Sequence, residues 1–187
     1  MNIIKKTLNE ISQNFLKLAD QSVPQIESVL KIIINSLEKN GKIMFCGNGG
    51  SAADSQHLSA ELVGRYLKDR KPLPSISLTT DTSVITSISN DFSFDEIFSR
   101  QVESIGKQGD VLYAITTSGK SKNVIAALKK AKSMDIRTIC ITGDDSTCID
   151  NFCDEVIKVP ASRPDRIQEM HIAIGQIICE EIEKKLC

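Results

Sequence analysis

Two loops rich in glycine and hydroxyl side chains hold the residues best suited to chemistry. The first loop reads Cys-Gly-Asn-Gly-Gly-Ser-Ala-Ala-Asp over residues 46–54, and a helical pattern follows it. Its glycines let the backbone approach a ligand, Ser51 can cap the helix, and the N–H groups of the first helical turn favour an anion. The loop therefore has the form of a cradle for phosphate or sugar hydroxyls, although a plain strand-to-helix turn would use similar residues. It matches neither the dinucleotide nor the Walker pattern, which argues against a nucleotide cofactor.

The second loop reads Ile-Thr-Thr-Ser-Gly-Lys-Ser-Lys-Asn over residues 115–123 and also leads into a helical pattern. Four hydroxyls crowd this stretch, and beside a helix N-terminus they offer donors to phosphate oxygens without a fixed cation. Ligands of doubly wound sheets bind at the carboxyl ends of the strands. One such loop is often only a helix cap, but two of them after two strands of one parallel sheet predict a phosphorylated small molecule as ligand.

His57 and Glu61 lie four residues apart on the helix that follows the first loop, so they share a face. An imidazole and a carboxylate side by side could form an acid–base pair, contribute two metal ligands, or make an ordinary surface pair. Their closeness to the glycine-rich loop favours a functional role.

A last helical pattern begins with Pro-Asp-Arg-Ile-Gln-Glu-Met-His over residues 164–171 and runs to about residue 185. Gln168 and Gln176 lie along one stripe of this helix, whereas His171 points to one side and is predicted to be a supporting or core-edge residue. Cys148 and Cys153 have four residues between them in a predicted loop, and without a second pair they make a poor zinc site.

The elements that position these residues follow from the hydrophobic pattern. Residues 2–40 show helical periodicity that Pro24 divides into two helices. Five short runs rich in β-branched residues then alternate with helical segments, at residues 42–46, 75–79, 111–116, 137–142 and 155–159. Continuous apolar runs of this kind predict a doubly wound, five-stranded parallel sheet of the flavodoxin or Rossmann type. We expect one α/β domain over residues 1–187, whose leading helices pack on the sheet or against another subunit.

Composition excludes several classes of protein. The 23 Lys and Arg residues nearly balance the 24 Asp and Glu residues. The chain therefore has no large net positive charge that would attract nucleic acid or anionic lipid. The six cysteines show no disulfide framework, and the chain begins without a secretory apolar region, which predicts a cytoplasmic protein with reduced thiols. No apolar run approaches the roughly 18 residues typical of a membrane span.

Six motifs in order, CGNGGSAAD, the H-x-x-x-E after it, LTTDTS, ISND, TTSGKS and RIQEMH, resemble those of bacterial phosphoheptose isomerases over nearly the whole chain. The resemblance implies a sugar-isomerase (SIS) fold and a homotetramer with active sites between subunits, in which residues 1–40 form the oligomer. It also implies conversion of sedoheptulose 7-phosphate to D-glycero-D-manno-heptose 7-phosphate, the first step towards the heptoses of lipopolysaccharide, capsule or surface-layer glycans.

The resemblance further implies a role for individual residues. Glu61 matches the catalytic base, which moves a proton between C1 and C2 through an enediol-type intermediate, and Gln168 matches a contact to substrate and metal. Residues expected at the sugar are Asn48, Gly49, Gly50 and Ser51 at the first loop, and Asn90 and Asp91 in the ISND motif. Residues expected to hold the phosphate are Thr116, Thr117, Ser118 and Ser121. The zinc ligands of such enzymes correspond to His57, Glu61, Gln168 and a second histidine on the last helix, which is also the general acid.

The sequence departs from this pattern at Gln176, which occupies the place of that second histidine, eight residues after Gln168. A glutamine amide can hydrogen-bond but cannot exchange a proton near neutral pH. General acid–base help is typically worth about 10²–10⁴-fold, so the change predicts a slow isomerase. An amide oxygen also suits zinc less well than imidazole does, so a zinc site here should be weakened.

Three hypotheses follow from the residues and the resemblance together. The leading one is an isomerase that uses Glu61 as base while Gln176 only positions the substrate. The second is a non-catalytic SIS protein that binds a sugar phosphate or a protein partner, such as the DNA-replication initiator. The third is an isomerase for a different sugar phosphate, because the phosphate loops recognise only one end of the ligand.

Overall fold

A computed structural model describes residues 2–144 and 149–187 of the chain. Five parallel strands form one sheet in the order β2-β1-β3-β4-β5. The strands are β1 (Ile43–Gly47), β2 (Ser75–Ser77), β3 (Val111–Ile115), β4 (Arg137–Gly143) and β5 (Glu155–Val159). The predicted α/β class and the five strands are confirmed, with β2 ending two residues earlier than expected. Cys148, which we considered as a zinc ligand, lies outside the described residues.

In the part of the chain that the structure describes, seven helices cover both faces of the sheet. They are α1 (Ile3–Gln21), α2 (Val23–Glu38), α3 (Gly50–Val63), α4 (Thr82–Asp91), α5 (Ser99–Ile105), α6 (Lys122–Ser133) and α7 (Pro164–Leu186), with 3₁₀ turns at Phe94–Glu96 and Asp150–Phe152. Helix α3 ends at Val63 with Gly64 as its C-cap residue, and Ser121 of the second loop is the N-cap residue of α6.

Alternate residues of each central strand enter two separate hydrophobic cores. Ile43 and Tyr113 pack on the side of α2, α3 and α7, whereas Met44 and Leu112 pack on the side of α4, α5 and α6. All residues of β1 and β3 are buried, which explains why their sequences are continuously apolar rather than alternating.

The two N-terminal helices separate at Ser22, and Pro24 lies in the first turn of α2, where its missing N–H has no helical partner to lose. We expected this segment to pack on the sheet or against another subunit, and α2 packs on the sheet. Val29 and Ile33 are buried in the core, and α2 packs against β5 and α7. Helix α1 differs, because its apolar side chains Ile4 and Leu8 are 64% and 59% exposed.

Helices α3 and α7 lie side by side and run in the same direction. A Cβ atom added at Gly50 would meet the Gln168 amide, and one added at Gly175 would come within 2.5 Å of Leu58. A larger residue at position 175 would require Leu58 to shift. Among the described residues, no helix is long and apolar enough to cross a membrane.

Candidate active site

A reciprocal amide pair joins the two predicted loops. The Asn48 side chain donates to Asn123 Oδ1 at 2.9 Å, and the Asn123 side chain donates back to Asn48 Oδ1 at 2.9 Å. Asn48 follows β1 and Asn123 opens α6 after β3, so the pair bridges the point where the strand order of the sheet reverses. Parallel α/β sheets bind ligands in the crevice at such a point. The structure therefore brings the two loops together as the sequence predicted.

The first loop turns sharply into α3. Gly49 precedes the helix with φ of +57°, a left-handed conformation that favours glycine. Gly50 lies against the Gln168 amide, since an added Cβ would come within 2.5 Å of Gln168 Nε2. Ser51 is buried, with a relative exposure of 3%. Gln168 of the last helix thus lies at the edge of the loop, where a substrate contact was expected.

The second loop keeps its hydroxyls close together. Thr116 Oγ1 and Ser121 Oγ lie 3.2 Å apart, and the Lys120 backbone N–H donates to Ser118 Oγ at 3.2 Å. The Thr117 carbonyl accepts a hydrogen bond from Gly143 N, which ties the loop to the end of β4. An open cavity of about 180 Å³ lies beside this loop and is lined by Thr117, Ser118, Lys120, Gly143, Asp144, Ala161, Ser162 and Ile167. A phosphate group fits a space of this kind, which is polar and open to solvent.

His57 and Glu61 form a direct pair on α3, with His57 Nε2 and Glu61 Oε1 3.0 Å apart. The two side chains are 48% and 21% exposed, so both are open to solvent. This contact is also what an ordinary surface pair would show, so the geometry alone leaves the role of Glu61 a prediction.

The four residues matched to a zinc site do not form a typical zinc centre. Within residues 2–144 and 149–187, no hydrogen bond joins Gln168 or Gln176 to His57 or Glu61, and no group of three His, Cys, Asp or Glu side chains could hold a metal. The set consists of one imidazole, one carboxylate and two amides, whereas zinc prefers imidazole, thiolate and carboxylate ligands. These residues fit zinc poorly.

Asn90 and Asp91 occupy the end of α4, an element for which we had assigned no boundaries. Asn90 Nδ2 donates to Asp91 Oδ1 at 2.8 Å, and both side chains are accessible to solvent. No hydrogen bond in the described part of the chain ties either side chain to the two loops, so their expected contact with sugar hydroxyls stays a prediction.

Asp54 was not predicted as a site residue from the sequence. One of its carboxylate oxygens is buried and has no hydrogen-bond partner among the described residues. Burial raises the pKa of Asp54 to about 6, although the nearby His57 partly offsets this shift. Its position three residues before His57 on the same helix was the available signal. His171 is buried in the core, as expected of a supporting residue, and burial lowers its pKa to about 4.

Known proteins resemble this chain in sequence. A family model described as SIS domain matches residues 8–143. Phosphoheptose isomerase from Rhodospirillum rubrum is 49% identical over 173 residues, which cover 92% of this chain and 92% of that protein. The chain belongs to the phosphoheptose isomerase family of SIS-domain proteins. The resemblance found in the six motifs is thereby confirmed.

Solved structures of this family agree over nearly the whole chain. Phosphoheptose isomerase from Neisseria gonorrhoeae superposes with a TM-score of 0.92 at 38% identity, covering 97% of both chains. The enzyme from Francisella tularensis superposes with a TM-score of 0.93 at 33% identity, covering 97% of this chain and 96% of that chain. The predicted SIS fold is confirmed, including the two N-terminal helices.

Replacing Asn123 with alanine should destabilise the protein and loosen both loops. Asn123 is only 2% exposed, and its Oδ1 accepts from both Asn48 and the Val124 backbone N–H. Asn123→Ala leaves the buried Val124 N–H without a partner, which costs about 1–3 kcal/mol, and it releases the partly buried Asn48 amide. Chemical denaturation measures this loss. An equal stability of wild type and Asn123→Ala, with Asn90→Ala as the exposed control, would contradict the importance of the pair.

Proposed function

We propose that this chain is a phosphoheptose isomerase that interconverts sedoheptulose 7-phosphate and D-glycero-D-manno-heptose 7-phosphate in the cytoplasm. The observation that carries the proposal is the placement of the His57–Glu61 pair on the helix that begins at the first of two phosphate-type loops. Family membership at up to 49% identity over most of the chain supports the same activity. The product would feed the heptoses of lipopolysaccharide, capsule or other surface glycans.

The phosphate of the substrate is proposed to bind at the loop after β3. Thr116, Thr117, Ser118 and Ser121 supply hydroxyl donors there, and the first turn of α6 adds backbone N–H groups. Asn48 and Gln168 then lie on the side of the sugar, since both border the first loop. The remaining sugar contacts are proposed for Gly49, Gly50, Ser51, Asn90 and Asp91.

Glu61 is proposed as the base of the isomerisation. Its carboxylate removes the proton from C1 of the ketose, and the electron pair forms the C1–C2 double bond of an enediol as the C2 carbonyl oxygen is protonated. Glu61 then returns the proton to C2, while the C1 hydroxyl gives its proton to water and becomes the carbonyl of the aldose. The His57 contact at 3.0 Å holds one carboxylate oxygen and leaves the other available. Gln176 cannot supply the proton that the carbonyl oxygen requires, so we assign it a positioning role and assign proton donation to water.

Zinc is proposed to bind only weakly. The imidazole and carboxylate of His57 and Glu61 satisfy each other at 3.0 Å, and Gln168 and Gln176 add only amide oxygens. No chemical step assigned above depends on the metal.

The protein is further proposed to be a homotetramer that assembles through its N-terminal helices. Ile3, Ile4, Leu8 and Leu16 of α1 are each more than half exposed, although all are apolar. Association would remove this surface from water, and burial of apolar area is the main driving force for subunit assembly.

Replacing Glu61 with glutamine should abolish turnover of sedoheptulose 7-phosphate while folding and substrate affinity stay close to those of the wild type. An amide keeps the shape of the side chain but cannot take the C–H proton. Steady-state kinetics and calorimetric binding measure the two effects. Turnover by Glu61→Gln at more than about one tenth of the wild-type rate would remove Glu61 from the base role.

Replacing Gln176 with histidine should raise turnover by up to about 10²–10⁴-fold and strengthen zinc binding, because the imidazole is both an acid and a better ligand. Rates with added zinc or chelator, together with zinc titration of both proteins, measure the outcome. A non-catalytic SIS protein would stay inactive after Gln176→His, and a lower rate would show that Gln176 has its own part in orienting substrate or water.

Light scattering at micromolar concentration should give four times the chain mass for the wild type. Leu8→Lys should shift the protein towards smaller species, because it places a charge in the apolar surface of α1. Asn9→Lys, which adds the same charge at the neighbouring exposed position, serves as the control. A monomeric wild type would contradict the proposed assembly.

A further inference from the structure

The buried carboxylate of Glu183 accepts four hydrogen bonds. The residue is 2% exposed and lies near the end of α7. It accepts hydrogen bonds from the backbone N–H groups of Tyr66, Leu67 and Lys68 at 3.1, 2.8 and 2.7 Å, and from Arg70 Nε at 3.0 Å. Burial raises the pKa of Glu183, but these bonds outweigh the burial and lower the pKa to about 2. Glu183 is therefore ionised at neutral pH and holds the segment after α3 against α7.

Arg70 extends this contact to the end of α3. Its Nη2 donates to the Glu61 carbonyl and its Nη1 to the Leu62 carbonyl, each at 2.7 Å, and the side chain is only 4% exposed. These carbonyls belong to the last turn of α3, where backbone acceptors have no helical partner. A cation at a helix C-terminus is also electrostatically favourable. The guanidinium thus caps the helix turn that carries Glu61.

We propose that Arg70 and Glu183 form a clamp that positions the Glu61 carboxylate for proton transfer. The inference rests on the proposed role of Glu61 as base. Arg70 touches the Glu61 backbone and not its reacting atoms, so Arg70 and Glu183 are positioning residues rather than catalytic ones.

The planar fork of Arg70 is essential to this arrangement. Its Nε reaches Glu183 while Nη1 and Nη2 reach two carbonyls at once. Lysine has one ammonium group on a flexible stem, and it can keep the ion pair but not all three contacts. Arg70→Lys therefore removes hydrogen bonds to the carbonyl groups of α3 while it keeps the positive charge.

A matched control lies at the opposite edge of the sheet. Asp110 is fully buried and accepts from the backbone N–H groups of Lys42 and Lys107 and from the Lys42 ammonium group. Like Glu183, it is a buried carboxylate that binds backbone amides and one cation. It precedes β3, whereas the candidate site follows the carboxyl ends of the strands. Asp110→Asn and Glu183→Gln should therefore lower stability alike, although only Glu183→Gln disturbs α3.

The experiment compares Arg70→Lys, Glu183→Gln and Asp110→Asn in the full chain. We expect Arg70→Lys and Glu183→Gln to lower kcat for sedoheptulose 7-phosphate by about 10- to 10²-fold, because small misplacements of a reacting group cost rates of this order. KM should stay nearly constant, since the phosphate loop is untouched. Amide hydrogen exchange at Leu62 and Val63 should accelerate in these two variants, while Asp110→Asn should keep wild-type exchange there and, per folded molecule, wild-type kcat.

Equal kcat values in all three variants, measured below their melting temperatures, would overturn the proposal, as would unchanged exchange at Leu62 and Val63. The role of Glu61 is tested separately. If Glu61→Gln abolishes turnover but Arg70→Lys does not reduce it, the clamp fails while the base assignment holds. If Glu61→Gln keeps its turnover, the base assignment fails whatever Arg70→Lys does.

Discussion

The candidate site depends on the reciprocal amide pair between Asn48 and Asn123. Parallel strands deliver two loops to the same edge of the sheet, but each loop alone is a flexible chain of glycines and small polar residues. Two hydrogen bonds of 2.9 Å fix one loop against the other, with Asn123 buried and Asn48 partly buried. An amide is suited to this position because it both donates and accepts, so each side chain satisfies the other without a charge. The ligand crevice is thereby built before a ligand arrives.

The contacts between the parallel helices α3 and α7 also hold the residues of the candidate site in place. Three levels of contact hold the two helices: the Gln168 amide against Gly50, Leu58 against Gly175, and Glu183 against the segment after α3. The first level touches the loop and the last lies close to Glu61. Between these two levels Leu58 packs closely against Gly175, so the two helices are in direct contact there.

Much of the fold could be predicted because its physical signals are local. Continuous apolar runs marked the strands, and the glycine and hydroxyl clusters marked both loops. Helix α4 carried no comparable signal, since its sequence is rich in serine, threonine and isoleucine, and its start depends on the Asp81 side chain that accepts from Val84 N. Arg70 and Glu183 are 113 positions apart, and neither type of residue is expected to be buried. Only the folded chain shows that they belong together.

Three helices, α3, α6 and α7, begin at the carboxyl edge of the sheet, next to the two loops. Each helix macrodipole is equivalent to about half a positive charge at its N-terminus, so α6 offers about +0.5 beside the loop after β3, and the other two helix N-termini add positive potential near the first loop. The peptide backbone itself can thus offset part of the charge of a phosphate monoester in a chain whose formal net charge is −1. Peptide dipoles do not titrate, and unlike a lysine or arginine side chain they lose no rotamer freedom when an anion binds. The affinity that helix dipoles give for phosphate does not depend on protonation of the protein. It changes with pH only through the ionisation of the phosphate itself.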